Sequence, residues 1–123
     1  MKISESLEMY LETILVLSKK GPVRSIDIAR AMNFSRPTVS VAIHSLENEG
    51  YLKIDQESNI SLKAKGLKIA ETIYERHTVL TEMLIKIGVS EKTAAEDACK
   101  IEHDISSETF ECIKNHINKN IGK

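Results

Sequence analysis

The feature that most restricts what this chain can fold into is an ordered run of local signals from Val23 to Leu62: two short amphipathic helices, a tight turn, then two short β-runs. Val23 to Met32 has the spacing of a short helix, with Ser25 expected as its N-cap and Ile28, Ala29 and Met32 as its inward face. Asn33-Phe34 makes the turn. Ser35 is placed to cap the next helix, and Pro37 falls in its first turn, where a missing N–H costs nothing. Val39, Ala42, Ile43 and Leu46 supply its apolar stripe, and Gly50 stops it. Tyr51-Leu52-Lys53-Ile54 and Ile60-Ser61-Leu62 then read as strands on either side of a polar turn, which predicts a hairpin. A helix-turn-helix followed at once by a hairpin is a winged helix, whose second helix enters the DNA major groove. Ahead of it, Leu7, Tyr10, Leu11, Ile14, Leu15 and Val16 recur at helical spacing after a Ser4 or Ser6 cap, and Gly21-Pro22 ends that helix. These elements predict a DNA-binding domain over residues 1–65.

The remainder reads as helices only. From Ala64 an apolar pattern runs through Leu67, Ile69, Ala70, Ile73, Tyr74, His77, Leu80, Leu84 and Ile87 to a stop at Gly88. Ser90 is expected to cap a fifth helix and Ser106 a sixth, with Glu108 in the first turn of the sixth and Phe110, Ile113 and Ile117 inward. Three helices carry more apolar face than one chain can bury, so residues 66–123 are expected to form a two-fold interface. The expected fold is mainly α: an N-terminal winged helix-turn-helix with a small β-hairpin wing, then an all-helical metal-binding and dimerisation domain.

The metal expectation comes from Ala98-Cys99-Lys100-Ile101-Glu102-His103. Residues three and four apart are neighbours on a helix surface, so a thiol, a carboxylate and an imidazole would share one helical face. Those are ligand types that first-row divalent metals select. Three ligands from one helix leave an ion short of donors. Met9 and Glu12, again three apart, are the candidates to close the shell from the first helix.

With 123 residues and 41% hydrophobic content the chain suits one core, or a small domain with a helical extension. A formal net charge of −1 excludes a strongly basic coat while leaving room for a local basic face. No charged segment leads into an apolar one at the start, and no apolar run is long enough to span a bilayer, so a cytoplasmic protein without a membrane partner is expected. Two cysteines thirteen apart are a poor basis for a disulfide framework. Cys99 is read as a thiolate ligand and Cys112 as core packing.

Several of these segments together closely resemble the iron- and manganese-dependent repressors of the diphtheria toxin repressor and manganese transport regulator family. The matching residues are Glu8-Met9-Tyr10-Leu11-Glu12, Asp27-Ile28-Ala29, Arg36-Pro37-Thr38-Val39-Ser40, Leu46-Glu47 to Gly50, Arg76-His77, and Asp97-Ala98-Cys99 with Ile101-Glu102-His103-Asp104-Ile105-Ser106. The likeness covers essentially the whole chain. It implies a homodimeric repressor whose affinity for double-stranded operator DNA depends on bound Fe(II) or Mn(II). In the iron branch the activating ligands match Met9, Cys99, Glu102 and His103. Glu12 and His77 match ligands of the manganese branch, which has carboxylates where this chain has Met9 and Cys99. Sulfur ligands favour softer ions, so Fe(II) is expected first and Mn(II) next, with Co(II), Ni(II) or Zn(II) also compatible.

The resemblance has departures. An ancillary iron-branch site would need a Glu and a second His where this chain has Thr81 and Ala95, and Glu82 is rotated by about 100° from the required register. A third, SH3-like domain, present in many iron-branch members, is not expected after the sixth helix. A Gln of the iron-branch reading helix is replaced by Val41. In that helix Ser35, Pro37 and Thr38 are expected to meet bases, and Arg36, Ser40 and His44 phosphates or base edges, with Lys53 and Lys63 at the backbone. The alternative is a metal-independent winged-helix regulator with a structural Cys99, Glu102 and His103. An enzyme with a small-molecule substrate is not expected, because no nucleophile, no general-base pair beyond the ligands and no Gly-rich phosphate loop is visible.

Overall fold

The computed structural model describes residues 5–121, with side chains described through residue 118. The elements run α1 (Glu5–Ser18), α2 (Ser25–Met32), α3 (Arg36–Asn48), β1 (Leu52–Ile54), β2 (Ile60–Leu62), α4 (Ala64–Lys86), α5 (Glu91–Ile101) and α6 (Ser107–Ile121). The chain divides into two compact units, Met1–Glu71 and Thr72–Lys123, with the division inside α4.

In the first unit the three leading helices and the hairpin close over one core that includes Leu11, Ile14, Val23, Ile28, Val39, Ile43 and Leu52, all at or below 1% exposure. Truncating any of the large ones to Ala would cost about 2–5 kcal/mol. Val16, expected on the inward stripe of α1, is 37% exposed, because the buried face of that helix is set by Tyr10, Leu11 and Ile14. The expected Ser4 cap lies outside the described residues, and Ser6 sits inside α1. Helix α2 starts later than its sequence pattern. Val23 stays extended, its carbonyl accepting the Ile60 N–H at 2.7 Å, and this bridge holds the segment against the wing. Ser25 is therefore the first helical residue and not the cap. Arg24 holds the cap position, and its N–H donates to the Asp27 carboxylate at 3.0 Å.

Asn33 ends α2 in the left-handed region at φ 58°, a conformation Asn tolerates. Ser35 then caps α3, its hydroxyl accepting the Thr38 N–H at 3.3 Å. The strands pair antiparallel, Leu52 with Leu62 and Ile54 with Ile60. The Asp55 carboxylate closes the turn between them by accepting the N–H groups of Glu57 and Asn59, each at 2.9 Å. Those bonds hold its carboxyl below the usual carboxylate range, the Asn59 backbone bond most of all. Glu47 ties the wing to α3 by accepting the Ile54 N–H at 3.1 Å. Gly66 lets the start of α4 lie flush on the wing, since a Cβ there would run into the Tyr51 carbonyl oxygen.

The second unit packs the rest of α4 with α5 and α6 around Ile73, Leu80, Ala94, Ala98, Phe110 and Ile117. Gly88, at φ 109°, ends the α4 turn. Ser90 and Ser106 cap α5 and α6 through the N–H groups of Thr93 and Thr109, at 3.4 and 3.1 Å. A 2.9 Å ion pair joins Lys114 of α6 to Glu75 of α4 and raises the pKa of the lysine. Cys112, expected in the core, is exposed, because the inward face of α6 is set by Phe110 and Ile117 and leaves position 112 on the other side. Ile87, at the end of the α4 pattern, is 71% exposed, since the helix stops one residue earlier.

Candidate metal centre and nucleic-acid interface

The Cys99, Glu102 and His103 triplet does not sit on a helix as a whole. Helix α5 ends at Ile101, Glu102 is its C-cap, and His103 lies in the turn beyond. The cap residue keeps right-handed dihedrals, φ −58° and ψ −26°, and so the helical spacing survives past the last helical residue. The Cys99 sulfur, a Glu102 carboxylate oxygen and a His103 ring nitrogen all lie within 4.8 Å of one another. Donors bound at about 2.0–2.3 Å to one ion stand at most about 4.6 Å apart, so small side-chain rotations bring this set to bonding geometry.

Glu102 is fully buried. Its Oε1 lies 3.2 Å from His77 Nδ1, while its Oε2, also buried, has no hydrogen-bond partner among the described residues. A buried carboxylate oxygen without a donor is costly in a folded protein. A cation beside it would remove that cost, and the thiol and imidazole next to it are donors of the matching kind. The residues present therefore fit a divalent metal. His77 reaches the group from α4, 25 residues earlier in the chain. Thr81 donates its hydroxyl to the His77 carbonyl at 2.7 Å. Met9 and Glu12 both lie half-buried on α1 in the first unit.

One residue that holds this site together had no role assigned from sequence. Arg76 Nη1 donates to the carbonyls of Glu102 and Ile105, at 3.0 and 3.1 Å, and Nη2 to the Ser107 hydroxyl at 3.4 Å. Its guanidinium also stands over the Phe110 ring, 5.5 Å from the centroid. A helix C-terminus leaves carbonyls without intrahelical donors. Here a rigid five-donor fork from α4 satisfies one and fixes the turn that carries Glu102 and His103. The signal for it in the sequence was its place beside His77.

In the first unit, the residues expected at DNA are nearly all exposed. Ser35, Arg36, Pro37, Thr38 and His44 are exposed along α3, Ser40 is half-buried, and Lys53 and Lys63 are exposed on the wing. Ser35 also donates its hydroxyl to Thr38 Oγ1 at 2.8 Å, so the cap orients both side chains. His44 Nδ1 lies 2.8 Å from the Ser40 carbonyl, which requires the proton on Nδ1 and makes Nε2 an acceptor in the neutral ring. A concavity between α3 and the wing is lined by Arg24, Arg36, Ser40, His44 and Ser58, among others. It brings in Arg24, whose place just before α2 carries no sign of this in the sequence. Two guanidiniums in one polar groove suit a phosphate oxygen.

Comparisons with known proteins agree with both halves of this geometry. Residues 2–60 match the model of the iron dependent repressor N-terminal DNA binding domain, and residues 63–120 that of the iron dependent repressor metal binding and dimerisation domain. The chain is 33% identical over 115 residues to an HTH-type transcriptional regulator of Methanocaldococcus jannaschii, covering 91% of this chain and 92% of that one. It is 35% identical over 102 residues to the HTH-type transcriptional regulator MntR of Geobacillus kaustophilus, covering 82% and 72%. Among solved structures it is similar to the manganese regulator SloR, with a TM-score of 0.79 and 26% identity, over 96% of this chain and 55% of that one. The metal-dependent transcriptional regulator MtsR superposes with a TM-score of 0.84 at 24% identity, over 91% and 53%. This chain thus spans about half the length of those two. The winged reading head, the buried carboxylate site and both family matches lead to one conclusion: the chain belongs to the iron-dependent repressor family of metal-dependent transcriptional regulators, with its DNA-binding domain and its metal-binding and dimerisation domain, and is not an enzyme.

Proposed function

We propose that this chain represses transcription as a homodimer that grips operator DNA when a divalent metal is bound, Fe(II) first and Mn(II) next. The observation that carries this is the buried Glu102, one oxygen beside His77 and the other without a hydrogen-bond donor, with the Cys99 and His103 donors within 4.8 Å. In this reading Cys99, Glu102 and His103 hold the ion with Met9, while Glu12 and His77 serve a second or shared position. Thiolate and thioether donors favour Fe(II) over harder ions. Residues 1–65 read the operator and residues 66–123 bind metal and pair the two copies.

When bound, the ion supplies a positive charge and directed bonds that oxygen, nitrogen and sulfur donors on separate segments share. The chain does the rest. Arg76 holds the Glu102 turn in place. Joining Met9 to that turn limits the separations open to the two α3 helices of the dimer, favouring the spacing of one helical turn of DNA, roughly 34 Å. Moving such an equilibrium from mostly incompetent to mostly competent takes about 5 kcal/mol of differential affinity, within what a chelate of three or four ligands supplies.

The experiment is an anaerobic titration of operator binding with Fe(II), Mn(II), Co(II), Ni(II) and Zn(II), with ion stoichiometry measured alongside. We expect binding to rise with metal, most strongly with Fe(II), and to fall back on chelation. Cys99→Ala should weaken Fe(II) activation at least tenfold while leaving the metal-free melting curve in place, a loss on the scale of one ligand or its supporting contact. Operator affinity identical with and without chelator would overturn the proposal.

A further inference from the structure

Helix α3 carries an apolar residue that the fold does not use. Val41 is 73% exposed, more than any other large hydrophobic among the described residues. Val39, Ile43 and Leu46 bury the inward face of the same helix. Two residues beyond Val39, position 41 is turned by about 200°, onto the opposite face. Val is also a poorer helix former than Ala, and its β-branched side chain gains no burial here. One turn earlier on that face stands Pro37, also exposed. The two make a narrow apolar strip, with Arg36, Thr38, Ser40 and His44 around it.

We propose that Val41 reads the 5-methyl group of thymine in the operator, so that this chain selects thymine by an apolar contact at that point. The inference rests on the DNA-binding reading above. The occupant follows from the surroundings. The major groove offers one apolar group, the thymine methyl, and everything else on its floor is a donor or an acceptor. A protein partner would need roughly 800 Å² on this side with an apolar centre, and two side chains ringed by hydroxyls, an imidazole and a guanidinium fall well short of that. The strip also lies on the helix that a winged domain inserts into the groove, beside the concavity shared by Arg24 and Arg36.

The test uses the full-length, metal-loaded protein on the duplex it enriches from random DNA. Each thymine in that duplex is replaced in turn by deoxyuridine, which removes the methyl and keeps every hydrogen-bonding group. Affinity is read by fluorescence anisotropy. Wild-type protein should lose about three- to fivefold at one or two thymines in each half-site, the effect of burying one methyl. V41A should bind the thymine and deoxyuridine duplexes equally at those positions, with a melting temperature at or above that of wild type. Deoxyuridine without effect at every position, or an equal loss in V41A, would overturn the proposal. Enrichment of no sequence at all would overturn the DNA-binding reading and this inference with it. Equal loss of all duplexes in V41A, with its uracil sensitivity intact, would mark Val41 as a general contact and overturn its role as a thymine reader.

Discussion

Glu102 shows how one side chain sets what a site can do. Its carboxylate is fully buried and half satisfied, an arrangement that costs stability until a cation arrives. The isosteric Glu102→Gln should therefore have opposite effects in the two states of the protein. Without metal its melting temperature should equal or exceed that of wild type. With saturating metal it should fall below, and metal affinity should drop at least tenfold by calorimetric titration, the loss expected for a ligand or its supporting contact. Asp55 is a second residue whose charge is used, here for structure. Its carboxyl is held below the ordinary value of 3.8 by the N–H bonds from Asn59 and Glu57. The stabilisation it gives the wing is complete above that value and is lost as pH falls through the lower folded pKa. Asp55→Asn should remove that acid-side dependence, and amide exchange in the wing between neutral pH and pH 3 would show it.

At the scale of elements, the end of α5 depends on a donor from another helix. Glu102 caps α5 without the glycine that commonly turns a helix end, and Arg76 of α4 satisfies the carbonyls of Glu102 and Ile105 in its place. Arg76→Ala should cost about 1–3 kcal/mol in urea denaturation, the usual range for stranding a buried polar partner. Metal affinity should fall in the same variant, because the turn carrying Glu102 and His103 loses its anchor. Arg76→Lys keeps the charge but not the planar fork, and should recover only part of either effect. Helices α3 and α6 need no such help. Ser35 and Ser106 cap them within three residues, which is why both ends were legible in the sequence.

For the whole molecule, metal binding and folding stability are one equilibrium. An ion held by the native state at a free concentration a hundredfold above its dissociation constant adds about 2.7 kcal/mol. Thermal melts with Fe(II) or Mn(II) should move upward by the corresponding amount and return on adding chelator, and Cys99→Ala should flatten the response. The order of helices and strands, the caps Ser35, Ser90 and Ser106 and the stops at Gly50 and Gly88 could be read from the chain alone, because capping and periodicity act between residues three or four apart. The late start of α2 could not, since a hydrogen bond from Ile60, 37 residues further along the chain, holds Val23 extended. The cysteine, glutamate and histidine spacing was likewise local, and it survived the end of α5 because the cap residue stays in the helical region. Only the folded chain set His77 against Glu102, brought Arg76 to the carbonyls of the same turn and left Cys112 in solvent. Those outcomes depend on which face each helix presents to its neighbours, a property of packing between distant segments that no spacing within one segment encodes.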